Sequence, residues 1–190
     1  ARARGVRAAG GGGVRAAARA GAQGPRRRRG GRALGDRAEH VASRDPKISV
    51  KIPATAGGVG AIEEATYRGV NISVTVSFSG PQALAAGEAI ERGLRRREAE
   101  GLEVSGIGPV VTIMVGRLDD WLKHVVARDG IEIDPECLEW AGVAAVKRAY
   151  AIFRERGLRA RVLTAAYRNQ LQWTELVGGD LVLSPPFAWQ

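Results

Sequence analysis

From residue 47 onward the apolar and polar positions fall into two alternating rhythms. Ile48-Ser49-Val50-Lys51-Ile52 alternates with period two and stops at Pro53, which predicts a strand. Residues 57–68 place Val59, Ile62 and Ala65 on one helical face, and Gly69 follows as a terminator. Residues 71–78 predict a second strand, with Val70, Ile72, Val74 and Val76 on one side and Asn71, Ser73, Thr75 and Ser77 on the other. A long helix is expected over 81–100, and a third strand over 109–115 with Gly116-Arg117 beyond it. Residues 135–156 predict a helix with Asp134 as N-cap and Pro135 in its first turn. A fourth strand over 161–166, a short helix over 169–177 and a fifth strand over 181–184, halted by Pro185-Pro186, complete the series. The stretch around His124 fits either a loop or a helix.

Strand and helix in repeated alternation imply a parallel sheet with helices packed outside it, because parallel neighbours need a crossover between them. An open doubly wound sheet is apolar on both faces of its strands. The second strand here has a wholly polar face, as the interior of a barrel near its functional mouth would. The fold class expected is therefore α/β, of the (β/α)8 TIM-barrel type. Lys51, Arg117 and Arg168 then fall at or just past strand ends, which form the active face of such a barrel. Each arginine alone reads more readily as a solvated loop residue; three cations at equivalent topological positions suggest an anionic substrate.

Composition sharpens this picture in one respect. The formal charge is +9 over 190 residues, a value that would suggest a nucleic-acid binder. Residues 1–47 carry 13 Lys and Arg against 3 Asp and Glu, while the remainder carries 16 against 17. The basic character belongs to the leader, which is mostly Ala, Arg and Gly, has no aromatic residues to stack on bases, and argues against nucleic acid as the partner. Its few large apolar residues predict disorder over residues 1–46, with residues 47–190 as the folded domain. A single cysteine, Cys137, allows no internal disulfide and suits a reducing, cytoplasmic compartment. His40 and His124 make no metal spacing, and no apolar run reaches membrane-spanning length.

Lys51 is the odd residue of its strand. It shares a face with Ser49, opposite Ile48, Val50 and Ile52. If the apolar face packs on helices, Lys51 points into the barrel. There an ammonium is costly unless paired or neutralised, and a neutral amine can attack a carbonyl. A surface lysine on an edge strand is the competing reading.

At this point the residues resemble a known family. Ile48-Ser49-Val50-Lys51-Ile52-Pro53-Ala54-Thr55, with Gly58 and Ala61-Ile62-Glu63 after it, is similar to the lysine strand and following helix of transaldolases. Gly69-Val70-Asn71-Ile72-Ser73-Val74-Thr75 with Phe78-Ser79 resembles the next strand. Val115-Gly116-Arg117, then Ala165-Ala166-Tyr167-Arg168-Asn169, then Gly178-Gly179-Asp180 with Leu183-Ser184-Pro185 resemble the segments that follow or form the last three strands. The likeness runs in order over residues 48–186. It implies a partial barrel holding the fourth to eighth strands.

The resemblance implies a transfer of a dihydroxyacetone unit between sugar phosphates, on the pentose phosphate route and without metal or organic cofactor. Lys51 would form the Schiff base and Thr75 would help hold a catalytic water. Ser73 and Thr112 would lie near the sugar, Arg117 and Arg168 would bind the phosphate, and Ser184 belongs to the matched eighth-strand segment. Ser73 stands where the family has asparagine, Ala166 where it has serine and Met114 where it has an aromatic residue. These departures leave open a fructose 6-phosphate type of aldolase, or a sugar with a different terminal anion such as a sulfosugar. The family's aspartate and glutamate for proton transfer lie on earlier strands, and Asp36, Glu39 and Asp45 sit on no convincing strand. Weak stability and little turnover are therefore expected of the chain alone, and a non-catalytic fragment is a further reading.

Overall fold

The computed structural model describes residues 25–42 and 48–187. The elements run α1 (Pro25–Ala42), β1 (Val50–Pro53), α2 (Gly58–Tyr67), β2 (Ile72–Thr75), α3 (Gly80–Ala99), β3 (Val110–Met114), α4 (Val115–Asp129), α5 (Pro135–Glu155), β4 (Arg161–Ala165), α6 (Leu171–Thr174) and β5 (Leu181–Leu183). The five strands form one wholly parallel sheet in sequence order, β1-β2-β3-β4-β5. This is an arc of a (β/α)8 barrel: each strand lies beside the next, with a helical crossover on one side. Among the described residues β1 and β5 are its edges, and no helix is long and apolar enough to cross a membrane.

The two faces of the sheet differ as the sequence periodicity requires. Ile52, Ile72, Val74, Val111, Ile113 and Val162 are buried and join Ala61, Ile62, Ala83, Ile90, Val146 and Phe153 from the helices in one core. The opposite face carries Lys51, Ser73, Thr75, Thr112, Met114 and Leu163. Lys51 on that face is exposed, Ser73, Thr75, Met114 and Leu163 are half-buried, and Thr112 is buried. The core is thus one-sided, and the polar face stays accessible.

Three sequence expectations need correction. The leader was expected to be disordered over residues 1–46, yet Pro25–Ala42 is a helix; residues 1–24 and 43–47 lie outside the described residues. Among its described residues, helix α1 packs through small ones, Gly35, Ala38 and Ala42, which a search for large apolar residues passes over. Its Asp36 and Glu39 both accept from the guanidinium of Arg68, the C-cap of α2, at 2.5 and 2.9 Å. Second, β2 ends at Thr75 rather than running to 78. Val76 has φ +54°, a left-handed conformation that a β-branched residue adopts only under strain. The chain turns there, so Val76 is exposed and Ser77 is buried, the reverse of simple alternation. The Ser77 carbonyl then accepts from Met114 N at 2.9 Å. Third, a helix, α4, begins directly at Val115, so Arg117 sits in its first turn rather than on a strand-end loop.

The expected N-cap of α5 is present: Asp134 accepts from Glu136 N at 2.9 Å. Asp134→Ala should cost about 1 kcal/mol in urea unfolding. Between α3 and β4, Glu91 accepts from Arg159 at 3.0 Å and from Arg95 at 3.0 Å. Burial raises its carboxyl, but these guanidinium bonds outweigh it and hold Glu91 below the ordinary range. A depressed carboxyl gives stability that is present above its unfolded value and is lost as pH falls through the folded one. Glu91→Gln should therefore lower stability at neutral pH and flatten its acid limb, measured by urea titrations between pH 3 and 7.

Candidate active site

All five strands point the same way, so their C-terminal ends gather on one side. In β1, Lys51 pairs in register with Ser73 of β2, and Pro53 with Thr75. Lys51, Ser73 and Thr75 therefore stand together on the helix-free face. Thr112 of β3 lies in register with Leu163 of β4 on the same face. The closed mouth expected around Lys51 is not what the structure shows. Its side chain is exposed, and it makes no ion pair among the described residues. Through Ser73, Lys51 lies level with Val110 at the start of β3, so two strand spacings and four residues of rise put it about 16 Å from the end of that strand.

Arg117 and Arg168 are brought together, by a residue the sequence analysis did not single out. Asp120, one turn into α4, accepts from Arg168 Nε at 3.1 Å and from Arg168 Nη2 at 2.8 Å. Its Oδ2 also lies 3.7 Å from Arg117 Nη1. Two guanidinium groups thus share one carboxylate at the ends of β3 and β4. Asp120 holds the two guanidinium groups near one another, and their planar forks match phosphate oxygens. Arg168 also donates to the carbonyls of Ala166 and Tyr167, at 3.0 and 3.1 Å, which curls its side chain back over its own loop.

That loop is tightly shaped. Ala166 has φ +62°, a second strained position at a strand end. Tyr167 is buried beneath it, and its hydroxyl meets Thr164 O at 2.8 Å and Thr164 Oγ1 at 2.7 Å. The same hydroxyl accepts from Ser184 N at 3.3 Å, tying Ser184, at the end of β5, to the β4 loop. Burial pushes the Tyr167 phenol up, against smaller opposing contributions from its hydrogen bonds. Ser184 itself is exposed. Gly116 lets the first turn of α4 approach the loop: an added Cβ would collide with the Ala166 carbonyl and lie 2.6 Å from Arg168 Cγ.

Beneath the arginines lies a buried polar cluster that sequence reading also missed. Asp119 and Gln172 are fully buried. Burial pushes the Asp119 carboxyl up, partly countered by hydrogen bonds from Gly142 N and Gln172. Neither residue carries a signal in a single sequence, because an acid beside Asp120 on a helix reads as solvated. Among the described residues no cluster of His, Cys, Asp and Glu could hold a metal ion.

Comparison with known proteins shows the family to which the chain belongs. The chain matches the family model described as transaldolase/fructose-6-phosphate aldolase over residues 30–188, and it belongs to that family. The match begins inside α1, ahead of the segment that carries the sequence resemblance. Similar proteins include a transaldolase of Chlamydia pneumoniae, 30% identical over 140 residues, covering 74% of this chain and 36% of that one. A transaldolase of Thiobacillus denitrificans is 34% identical over 110 residues, 58% of this chain and 31% of its own. Transaldolase 1 of Streptomyces avermitilis is 32% identical over 111 residues, 58% and 29% respectively. The chain thus spans about a third of the length of the curated relatives it matches.

Proposed function

We propose that this chain carries the Schiff-base and phosphate-binding half of a transaldolase-type site, with Lys51 as the nucleophile. The observation that carries the reading is Lys51 on the helix-free face of β1 and the Arg117–Arg168 pair just past the C-terminal ends of β3 and β4 of the same parallel sheet, in a chain of this family. The Lys51 amine adds to the C2 ketone of a ketose phosphate and water leaves, giving a protonated imine. The C3–C4 bond then breaks as the C4 hydroxyl loses its proton, and an aldose phosphate departs. The electron pair is held by the imine as an enamine, which can add to the aldehyde carbon of an acceptor. Ser73 and Thr112 offer hydroxyls to the sugar, Thr75 helps hold water, and Ser184 stands beside the phosphate end. On this reading the route is the pentose phosphate pathway in the cytoplasm, with sugar phosphates as partners and no cofactor.

The carboxylates that the family resemblance assigns to earlier strands have no counterpart on the strands among the described residues. Imine formation is therefore the step expected of the chain alone, and full turnover is expected to need the rest of a barrel. The test is borohydride reduction in the presence of fructose 6-phosphate followed by peptide mass mapping. A hexitol phosphate or dihydroxyacetone-derived adduct on the Lys51 peptide supports the reading. Labelling spread evenly over surface lysines, unchanged by the sugar, removes it. Where an adduct forms, product analysis with and without an acceptor aldose phosphate separates transfer from simple aldol cleavage.

A further inference from the structure

The Asp119 carboxylate is enclosed by three helices. Its Oδ1 accepts from Gly142 N of α5 at 2.7 Å, and its Oδ2 accepts from Gln172 Nε2 of α6. Gln172 then presents its other end, Oε1, to Arg168 N, at 2.5 Å. Gln172 N is in turn held by Asn169 Oδ1 at 3.1 Å. A carboxylate only accepts, so Gln172 must turn its NH2 toward Asp119, and its carbonyl oxygen is thereby committed to Arg168. The polarity of a buried acid is read out as the position of one backbone amide, four residues before the glutamine. That amide belongs to the arginine whose side chain grips Asp120 and stands beside Arg117.

The geometry points to Asp119, acting through Gln172, as the positioning residue that sets Arg168 and hence the spacing of the two guanidinium groups. This rests on the reading of Arg117 and Arg168 as the phosphate site. A carboxylate is not needed here to fill space: an asparagine has the same shape and is nearly as polar. What asparagine lacks is the second acceptor. With both neighbours donating, the amide introduced by Asp119→Asn must turn its NH2 on one of them, or force Gln172 to flip and confront Arg168 N with another donor. Asp119→Asn therefore disturbs the loop by hydrogen-bond polarity rather than by volume. The reciprocal pair Asp119→Asn with Gln172→Glu restores every donor to an acceptor: the asparagine NH2 meets a glutamate oxygen, and the other glutamate oxygen meets Arg168 N. Net charge is conserved.

The experiment uses the full chain and inorganic phosphate. Binding is followed by the 1H–15N signals of Arg168 N and of the Arg117 and Arg168 Nε groups, with thermal melts in parallel. Asp119→Asn is expected to weaken phosphate binding about tenfold, the effect of one buried donor left unmet, and to move the Arg168 amide proton upfield. The double variant should recover both within about twofold. An Asp119→Asn protein that binds phosphate like the wild type overturns the proposal. So does a double variant that melts like the wild type but leaves phosphate binding weak. Wild-type protein that binds no phosphate overturns both this and the anion-site reading, whereas phosphate binding without a Lys51 adduct overturns the Schiff-base reading alone.

Discussion

Lys51→Arg should abolish the borohydride-trapped sugar adduct, lowering its yield roughly a thousandfold or more, to the background of surface labelling. The substitution keeps the positive charge and much of the stem length. What it removes is a nitrogen with a lone pair free to add to a carbonyl, since a guanidinium holds its proton at every pH used for such chemistry. Because Lys51 is exposed and makes no ion pair among the described residues, the change should leave the fold intact. Urea midpoints of the two proteins should then agree within experimental error, and phosphate binding at Arg117 and Arg168 should be unaltered. Lost trapping with retained phosphate binding assigns the amine as nucleophile. An arginine variant that still yields a sugar-dependent adduct at another lysine would transfer the role elsewhere and end the assignment of Lys51.

The sheet was legible because its residues report two kinds of burial at once. Ile72 and Val74 are sealed against helices while Ser73 and Thr75 between them stay half-open, so period two and the polar face both appear in the sequence. The end of β2 was not legible. Nothing in Thr75-Val76-Ser77 announces a left-handed valine, and the turn there follows from the junction with Met114 N, a contact distant in sequence. Helix α1 is hard to see in the sequence because the described residues that it buries, Gly35 and Ala38, are equally at home in a disordered leader. For α4 the pattern was present, since Leu118, Leu122 and Val125 recur at helical spacing. The same stretch also fits a loop, because a carboxylate, Asp119, stands at a position that the helix buries completely.

The same distinction applies to the site. Arg117 and Arg168 could be named from their places after strands, since a parallel sheet sends all such ends to one side. Their mutual relation could not. It depends on Asp120 reaching both guanidinium groups and on Gln172 reaching back to Arg168 N. The residues proposed to touch the substrate occupy fixed topological addresses, whereas those that hold them there are defined by three-dimensional contacts between α4, α5 and α6. The strain at Val76 and Ala166 belongs to this second group, as each sits immediately beyond a strand and sets the direction in which the next side chains leave.

Gly116→Ala should show how tightly that second group is drawn. In the first turn of α4, alanine is intrinsically the better helix former by about 1 kcal/mol, so propensity alone predicts a more stable protein. The contacts oppose it. The added methyl would meet the Ala166 carbonyl, a backbone atom already held at φ +62°, as well as Arg168 Cγ at 2.6 Å and Gln172 Oε1 at 3.2 Å. Arg168 Cγ could swing aside, but the carbonyl moves only if the β4 loop moves with it. Overpacking of this kind costs about 1–3 kcal/mol, enough to cancel the propensity gain and leave a net loss near 1 kcal/mol. The larger effect falls on the site, because the relief available is to push the loop at 166–168 away from α4, separating Arg168 from Asp120 and Arg117. Phosphate affinity should fall more than tenfold, since displacement of a positioned cation by about 1 Å can cost up to a hundredfold. Urea unfolding and phosphate titration on the same samples check both parts. An alanine variant that is more stable than the wild type and binds phosphate equally well would mean that α4 and the loop are free to separate, and that the two arginines are not held as a pair.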